Sequence, residues 1–275
     1  MTGRVSIGAL HRMKREGRKI AAVVAWDCQI AMIADRAGVE IVSVGDSVGI
    51  NLWGQRGPLE VTLDQMLLAC RAVRSGVGQA LVSVDFPFGP VQEGPASAVR
   101  AAIRFVKEGG ADLVKIDDAG SFPDAVSAVV AAGVPVWAQF GITPQTAPRY
   151  QLEPGTQSAG LGTVPAGLAG DLAAEARRLE SAGASLLDFT NSGPAAGAAA
   201  ARSVAIPVLG GAGGGPWLDG RIRMAHAAIG YAASALDAEP DAYANVARIT
   251  LDALTAYAAD VREGRPVRGD APAAG

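Results

Sequence analysis

The sequence predicts an α/β protein built as a single (β/α)8 TIM barrel, and three observations carry that expectation. Short β-branched runs alternate with longer Ala-rich helical segments, seven runs are clear with an eighth placed near 224–230, and three consecutive runs end in an aspartate. Alternation of this kind calls for βα units and a parallel sheet. A chain of 275 residues also suits a barrel of about 250 residues in one domain. A doubly wound open sheet is the rival, and the number of units favours the barrel.

Taken in order, the strand runs are KIAAVVAW (19–26), EIVSVGD (40–46), ALVSVDF (80–86), DLVKID (112–117), VPVWAQF (134–140), SLLDFT (185–190) and IPVLGG (206–211). Helices are expected at about 28–37, 62–75, 95–108, 122–132, 169–182, 194–203 and 241–263. Thr62 before LDQMLLACRAV and Pro123 at the head of its helix are start signals. One barrel domain is therefore expected over 1–263, with a disordered tail over 264–275. The Arg-Gly-Asp string at 268–270 is read as chance. The segment 150–167, rich in Gly, Pro and Ser, follows the fifth strand and belongs on the catalytic rim as a loop or lid. The glycine run at 210–215 reads as a tight strand-to-helix connection rather than a phosphate cradle.

Composition narrows the class. Apolar residues make up 49% and charged residues 19% of the chain, and the net charge is only -3. That profile suits a compact enzyme acting on a small molecule, with no nucleic-acid or membrane partner. Two cysteines, Cys28 and Cys70, give neither a metal-ligand spacing nor a disulfide framework. No segment reaches the roughly 18 uninterrupted apolar residues of a membrane span, and the basic N-terminus lacks a signal-peptide core. A cytoplasmic location is expected.

The chemistry should lie where the aspartates converge. Strand side chains alternate with period two, so Lys115 and Asp117 share a face, and a charged pair belongs in the barrel mouth rather than against the helices. Asp46 and Asp85 arrive there from the two preceding strands. Hard oxygen ligands with open positions suit Mg²⁺, with Asp46, Asp85 and Asp117 as candidate metal ligands. Lys115 supplies a fixed positive charge for a substrate carboxylate. The bland alternative is that each aspartate caps the helix after its strand.

The residues AWD (25–27), VGDS (44–47), DFPF (85–88), VKI (114–116) followed by an acid, and GITPQ (141–145) together resemble the ketopantoate hydroxymethyltransferase family. The likeness runs in collinear order from about residue 13 to about 265 and continues in AIPVLGGAG (205–213) and DGRIRMAH (219–226). It implies a barrel of the phosphoenolpyruvate and pyruvate superfamily, a homo-oligomer, commonly a decamer, and an aldol-type one-carbon transfer. In that transfer a 2-oxo acid held on Mg²⁺ becomes an enolate and takes a one-carbon unit from 5,10-methylenetetrahydrofolate. Asp46 and Asp85 match the family's metal-ligand aspartates, Ser47 and Lys115 match residues holding the oxo acid, and Asp117 stands where the family has a glutamate.

Other positions depart from the family. Thr190 stands where the resemblance places the catalytic glutamate, and a hydroxyl cannot serve as a base near neutral pH. Gln139 replaces a histidine and cannot titrate. A Gly-Gly-Tyr-Lys type segment after GITPQ is missing. Asp188, two residues before Thr190 on the same face, is either a relocated base or a buried structural carboxylate with a partner on a neighbouring strand. Asp118 is a weaker candidate, and His226 is read as structural. Trp137 is in phase with Gln139 and should narrow the pocket. Three functions are open at this point: the family's 2-oxo-acid carbon–carbon chemistry, a superfamily lyase, mutase or hydrolase acting on another acid, and a degenerate barrel kept as a binding or assembly subunit.

Overall fold

The structure, a computed structural model, describes residues 3–143, 145, 168–190, 193–211, 215–237 and 241–269. The rim segment 150–167, residues 212–214 of the glycine run and the last residues of the tail, 270–275, lie outside them. The chain divides into two compact units, Met1–Arg223 and Met224–Gly275.

Eight parallel strands form a closed barrel in chain order: β1 (Ile20–Val24), β2 (Ile41–Val44), β3 (Leu81–Asp85), β4 (Leu113–Ile116), β5 (Val136–Gly141), β6 (Leu186–Thr190), β7 (Val208–Gly210) and β8 (Gly220–Met224). Closure decides against the open doubly wound sheet. The seven expected strands fall where the sequence places them, whereas the eighth lies at 220–224 rather than near 224–230. Residues Ala225–Ala228 are helical instead. The strand GRIRM carries only Ile222 and Met224 as apolar residues besides its glycine, so hydropathy pulls the expectation towards the Ala-rich stretch that follows. Gly220 makes the closure sterically feasible, because a Cβ there would collide with the Ile20 carbonyl oxygen of β1. Across the same seam Ile20 N donates to Asp219 O at 2.9 Å, while Asp219 Oδ2 accepts from Val208 N at 2.8 Å.

The helices of the barrel unit are α1 (Ile7–Arg15), α2 (Cys28–Ala37), α3 (Val48–Trp53), α4 (Leu63–Gly76), α5 (Pro95–Lys107), α6 (Pro123–Ala131), α7 (Leu168–Ser181) and α8 (Pro194–Ser203). Thr62 begins α4 through a capping box with Gln65, and Pro123 opens α6, as their residue types predict. Alanines on the inner faces, such as Ala98, Ala101 and Ala102 of α5, bring helix and sheet close together. Larger side chains fill the remaining gaps, and Phe86 meets Phe105 edge-on with ring centroids 5.5 Å apart.

The sequence reading has no place for α1 or α3. Ser6 caps α1, whose buried Leu10 and Met13 face inward at helical spacing. Lys14 Nζ then donates to the carbonyls of Ala201 and Ile206, and His11 Nε2 lies 2.8 Å from the Ser185 carbonyl oxygen. Helix α1 therefore ties the strand-entry ends of β6 and β7. In the second unit α9 (Ala225–Ala228) precedes α10 (Val246–Arg262), which begins five residues later than expected because Asn245 caps it. Among the described residues no helix is long and apolar enough to cross a membrane.

Candidate active site

Strands β2 to β6 deliver polar residues to the same end of the barrel. Asp85 closes β3, Lys115 lies on β4, Gln139 on β5, and Asp188 and Thr190 on β6, while Asp46 and Asp117 sit just past β2 and β4. Register sets their neighbours: Asp85 pairs with Lys115, and Gln139 with Asp188. All seven are buried. The aspartates Asp46, Asp85 and Asp117 cap no helix, since the N-caps of α3, α5 and α6 are Ser47, Gly94 and Phe122. Their bland role is thereby removed. Asp118 precedes a short helical turn in a left-handed conformation at φ 49°, makes no side-chain capping bond to its backbone, and accepts from Ser121 Oγ at 2.9 Å.

Lys115 is the hub. Its Nζ lies 2.9 Å from Asp188 Oδ2, 3.6 Å from Asp85 Oδ2 and 5.2 Å from the centre of the Trp137 ring. Burial alone would push its proton off, but Asp188, Asp85 and Asp46 outweigh burial and hold the ammonium above the usual lysine range. Trp137 is fully buried, so it walls off this side of the mouth, as expected of its phase.

The carboxylates respond in the opposite sense. Burial first, then the neighbouring Asp117 charge, push Asp46 up to about 6, against hydrogen bonds from the Gln145 side chain and the Ser47 backbone and the positive charge of Lys115. Asp85 is pushed up to about 7 by burial, opposed by Lys115 and reinforced by Asp46 and Asp188. Asp117 is pushed up to about 7 by burial, opposed by hydrogen bonds from Thr143 and Gln145. Four buried acidic side chains thus share one ammonium, which is the charge imbalance that a divalent cation relieves.

Several neighbours complete the site. Ser43 Oγ donates to Asp85 Oδ1 at 3.4 Å, and Trp26 Nε1 donates to the Gly45 carbonyl at 3.2 Å, fixing the loop after β2. A Cβ on Gly45 would lie 2.9 Å from Ser47 Oγ and 3.7 Å from Asp85 Oδ2, so serine and carboxylate flank one glycine. Gln139 Nε2 donates to Thr190 Oγ1 at 3.2 Å, a pair without titratable groups. Gln145 Nε2 donates to Asp46 Oδ2 at 3.1 Å. Neither Ser43 nor Gln145 is singled out by sequence reasoning, although Gln145 ends the GITPQ motif. His226 lies in the second unit, its ring edge-on to Tyr231 at 4.8 Å.

The donor set fits a hard cation: the side chains are carboxylates, and one buried oxygen each of Asp117 and Asp188 has no hydrogen-bond partner. Among the described residues no three or more His, Cys, Asp or Glu side chains form a group placed to hold a metal ion together. One or two carboxylates with water would therefore have to suffice, as they commonly do for Mg²⁺.

Known proteins resemble this chain in sequence and in fold. Residues 4–266 match the profile of the ketopantoate hydroxymethyltransferase family. The chain is 36% identical over 266 residues to the 3-methyl-2-oxobutanoate hydroxymethyltransferase of Salinibacter ruber, covering 94% of this chain and 96% of that protein. It is also 36% identical over 264 residues to the enzyme of the same name from a Cyanothece species, again covering 94% and 96%. Among solved structures, a phosphonopyruvate hydrolase in complex with oxalate and Mg²⁺ superposes with a TM-score of 0.62 at 16% identity, covering 98% of this chain and 92% of that one. The 2,3-dimethylmalate lyase, of the PEP mutase/isocitrate lyase superfamily, follows at 0.61 and 15%, covering 97% and 92%. At such identities these structures share the fold alone.

Proposed function

The chain belongs to the ketopantoate hydroxymethyltransferase family, and from that premise we infer an enzyme that forms a carbon–carbon bond at a 2-oxo acid held by a divalent cation. The observation that carries this reading is the buried group of Asp46, Asp85 and Asp117 beside Lys115. Asp46 and Asp85 would hold Mg²⁺, with Asp117 acting through water. The bound cation supplies polarisation of the substrate carbonyl, which lowers the cost of the enolate.

The chain's own residues do the rest. Ser47 and Lys115 hold the substrate carboxylate, and Trp137 keeps water from that end of the pocket. Asp188 keeps Oδ2 on Lys115 and has Oδ1 without a partner. That second oxygen accepts the proton from the carbon beside the carbonyl. The enolate carbon then adds to the formaldehyde-level one-carbon unit that water frees from its folate carrier by breaking the C–N bonds, and the new alkoxide takes up a proton to become the hydroxymethyl group. Gln139 and Thr190 serve as neutral hydrogen-bonding groups on the neighbouring strands β5 and β6. Calorimetry with 2-oxoisovalerate, with and without Mg²⁺, tests the reading: Asp46→Ala should abolish the Mg²⁺-dependent binding, and unchanged binding refutes it.

A second reading rests on the Gln139–Thr190 pair, which puts neutral groups where the resemblance places a histidine and a glutamate. It keeps the cation and the acid substrate and drops folate, giving a lyase, mutase or hydrolase. Titration with a tetrahydrofolate separates the two, since binding in the micromolar range belongs to hydroxymethyl transfer and absence of binding to the alternative.

A further inference from the structure

Gln145 reaches the ends of three strands from the loop after β5. Its side-chain amide donates to Asp46 Oδ2 at 3.1 Å and to the Phe86 carbonyl at 3.2 Å, and its backbone N–H donates to Asp117 Oδ2 at 3.1 Å. Both side-chain partners are acceptors, so the amide nitrogen must face them and the group cannot be flipped without losing both bonds. Phe86 is itself a fixed anchor, because its N–H donates to the Lys115 carbonyl at 2.8 Å.

The effect on the carboxylates is specific. The terminal torsion of an aspartate is broad and roughly two-fold, so a buried carboxylate points its oxygens in a fixed direction only when a donor holds one of them. At Asp117, Oδ2 accepts from Gln145, while Oδ1 is buried and has no partner. At Asp46, Oδ2 is held by the Gln145 amide, with Phe86 holding that amide in turn. Asp117 is held by Thr143 as well and takes only the backbone N–H of Gln145, so the Gln145 side chain acts on Asp46 alone.

We propose that Gln145 is a positioning residue of the cation site, its side-chain amide orienting Asp46 so that the remaining carboxylate oxygen is presented to a small divalent cation or its water shell. This rests on the cation-dependent reading given above and adds to it a residue that sets the geometry. Mg²⁺ demands near-ideal octahedral coordination whereas Ca²⁺ tolerates irregular shells. Loss of orientation should therefore weaken Mg²⁺ more than Ca²⁺. Loss of the fold would weaken both alike.

The test is calorimetric titration of the full chain with MgCl₂ and with CaCl₂, alongside the thermal midpoint in EDTA. Gln145→Met keeps the side-chain volume and removes the amide. Its Mg²⁺ affinity should fall about 10-fold or more, the usual effect of removing a partner of a metal ligand, its Ca²⁺ affinity should fall by a smaller factor, and its midpoint in EDTA should hold. Unchanged Mg²⁺ affinity overturns the proposal, and so does an equal loss for both ions accompanied by a lower midpoint. Should Gln145→Met not fold, Gln145→Asn carries the same comparison, since its shorter amide cannot span Asp46 and Phe86. Wild-type protein that binds neither ion would instead sink the cation-dependent reading underneath.

Discussion

Lys115 Nζ and Asp188 Oδ2 lie 2.9 Å apart across the barrel mouth, from strands β4 and β6 with β5 between them. Both side chains are buried. Removing one partner of such a pair leaves the other charge uncompensated, at a cost of about 3–5 kcal/mol. Asp188→Ala should fall at the low end of that range, because Asp85 remains 3.6 Å from the ammonium. Urea unfolding measures it, and a loss below about 1 kcal/mol would mean that Asp85 alone holds Lys115.

Ser47 separates binding from stability. It begins α3 without a side-chain capping bond, so Ser47→Ala should leave the unfolding midpoint nearly unchanged. If its hydroxyl holds the substrate carboxylate, 2-oxo-acid affinity drops about tenfold, the worth of one hydrogen bond to a charged group. Binding equal to wild type removes Ser47 from the site.

Asp35 predicts a pH effect away from the mouth. Its carboxylate accepts from Gly78 N at 3.0 Å, Gln79 N at 3.0 Å and Ala80 N at 2.8 Å, pinning the entry to β3. Burial opposes ionisation there, but these donors outweigh it and hold the group below the usual aspartate value. A depressed native value means that the stabilisation is present above the unfolded value of about 4 and is lost as pH falls through the native one. Asp35→Asn should therefore cost about 1 kcal/mol at pH 7, and the gap to wild type should close on acidification below about pH 4. A gap that is constant with pH counts against this account.

Gly220 predicts a steric effect at the barrel seam. Gly220→Ala would drive a methyl group into the Ile20 backbone, at about 1–3 kcal/mol for overpacking. Thermal unfolding of the variant checks this, and an unchanged midpoint would mean that β8 can shift outward at little cost.

Much of the fold is legible in the chain. Buried parallel strands are near-continuous apolar runs, and β1 to β7 stand out for that reason. Strand β8 does not, because GRIRM alternates glycine and arginine with apolar residues and takes its place from the fit of Gly220 against β1. Helix α1 carries a readable cap at Ser6, yet its purpose emerges only when Lys14 meets carbonyls nearly two hundred residues away.

The sequence by itself determined the barrel class, the family likeness and the residue types at the mouth, because strand period and chain order bring Asp46, Asp85, Lys115 and Asp188 to one rim. Only the tertiary structure decided their partnerships. Asp188 meets Lys115 at 2.9 Å only once β6 has its place in the barrel, and the Gln145 amide meets Asp46 only through the path of the loop after β5. Periodicity fixes which face a side chain takes, whereas barrel closure and loop paths fix which charges and donors are buried together, and that sharing sets their proton affinities.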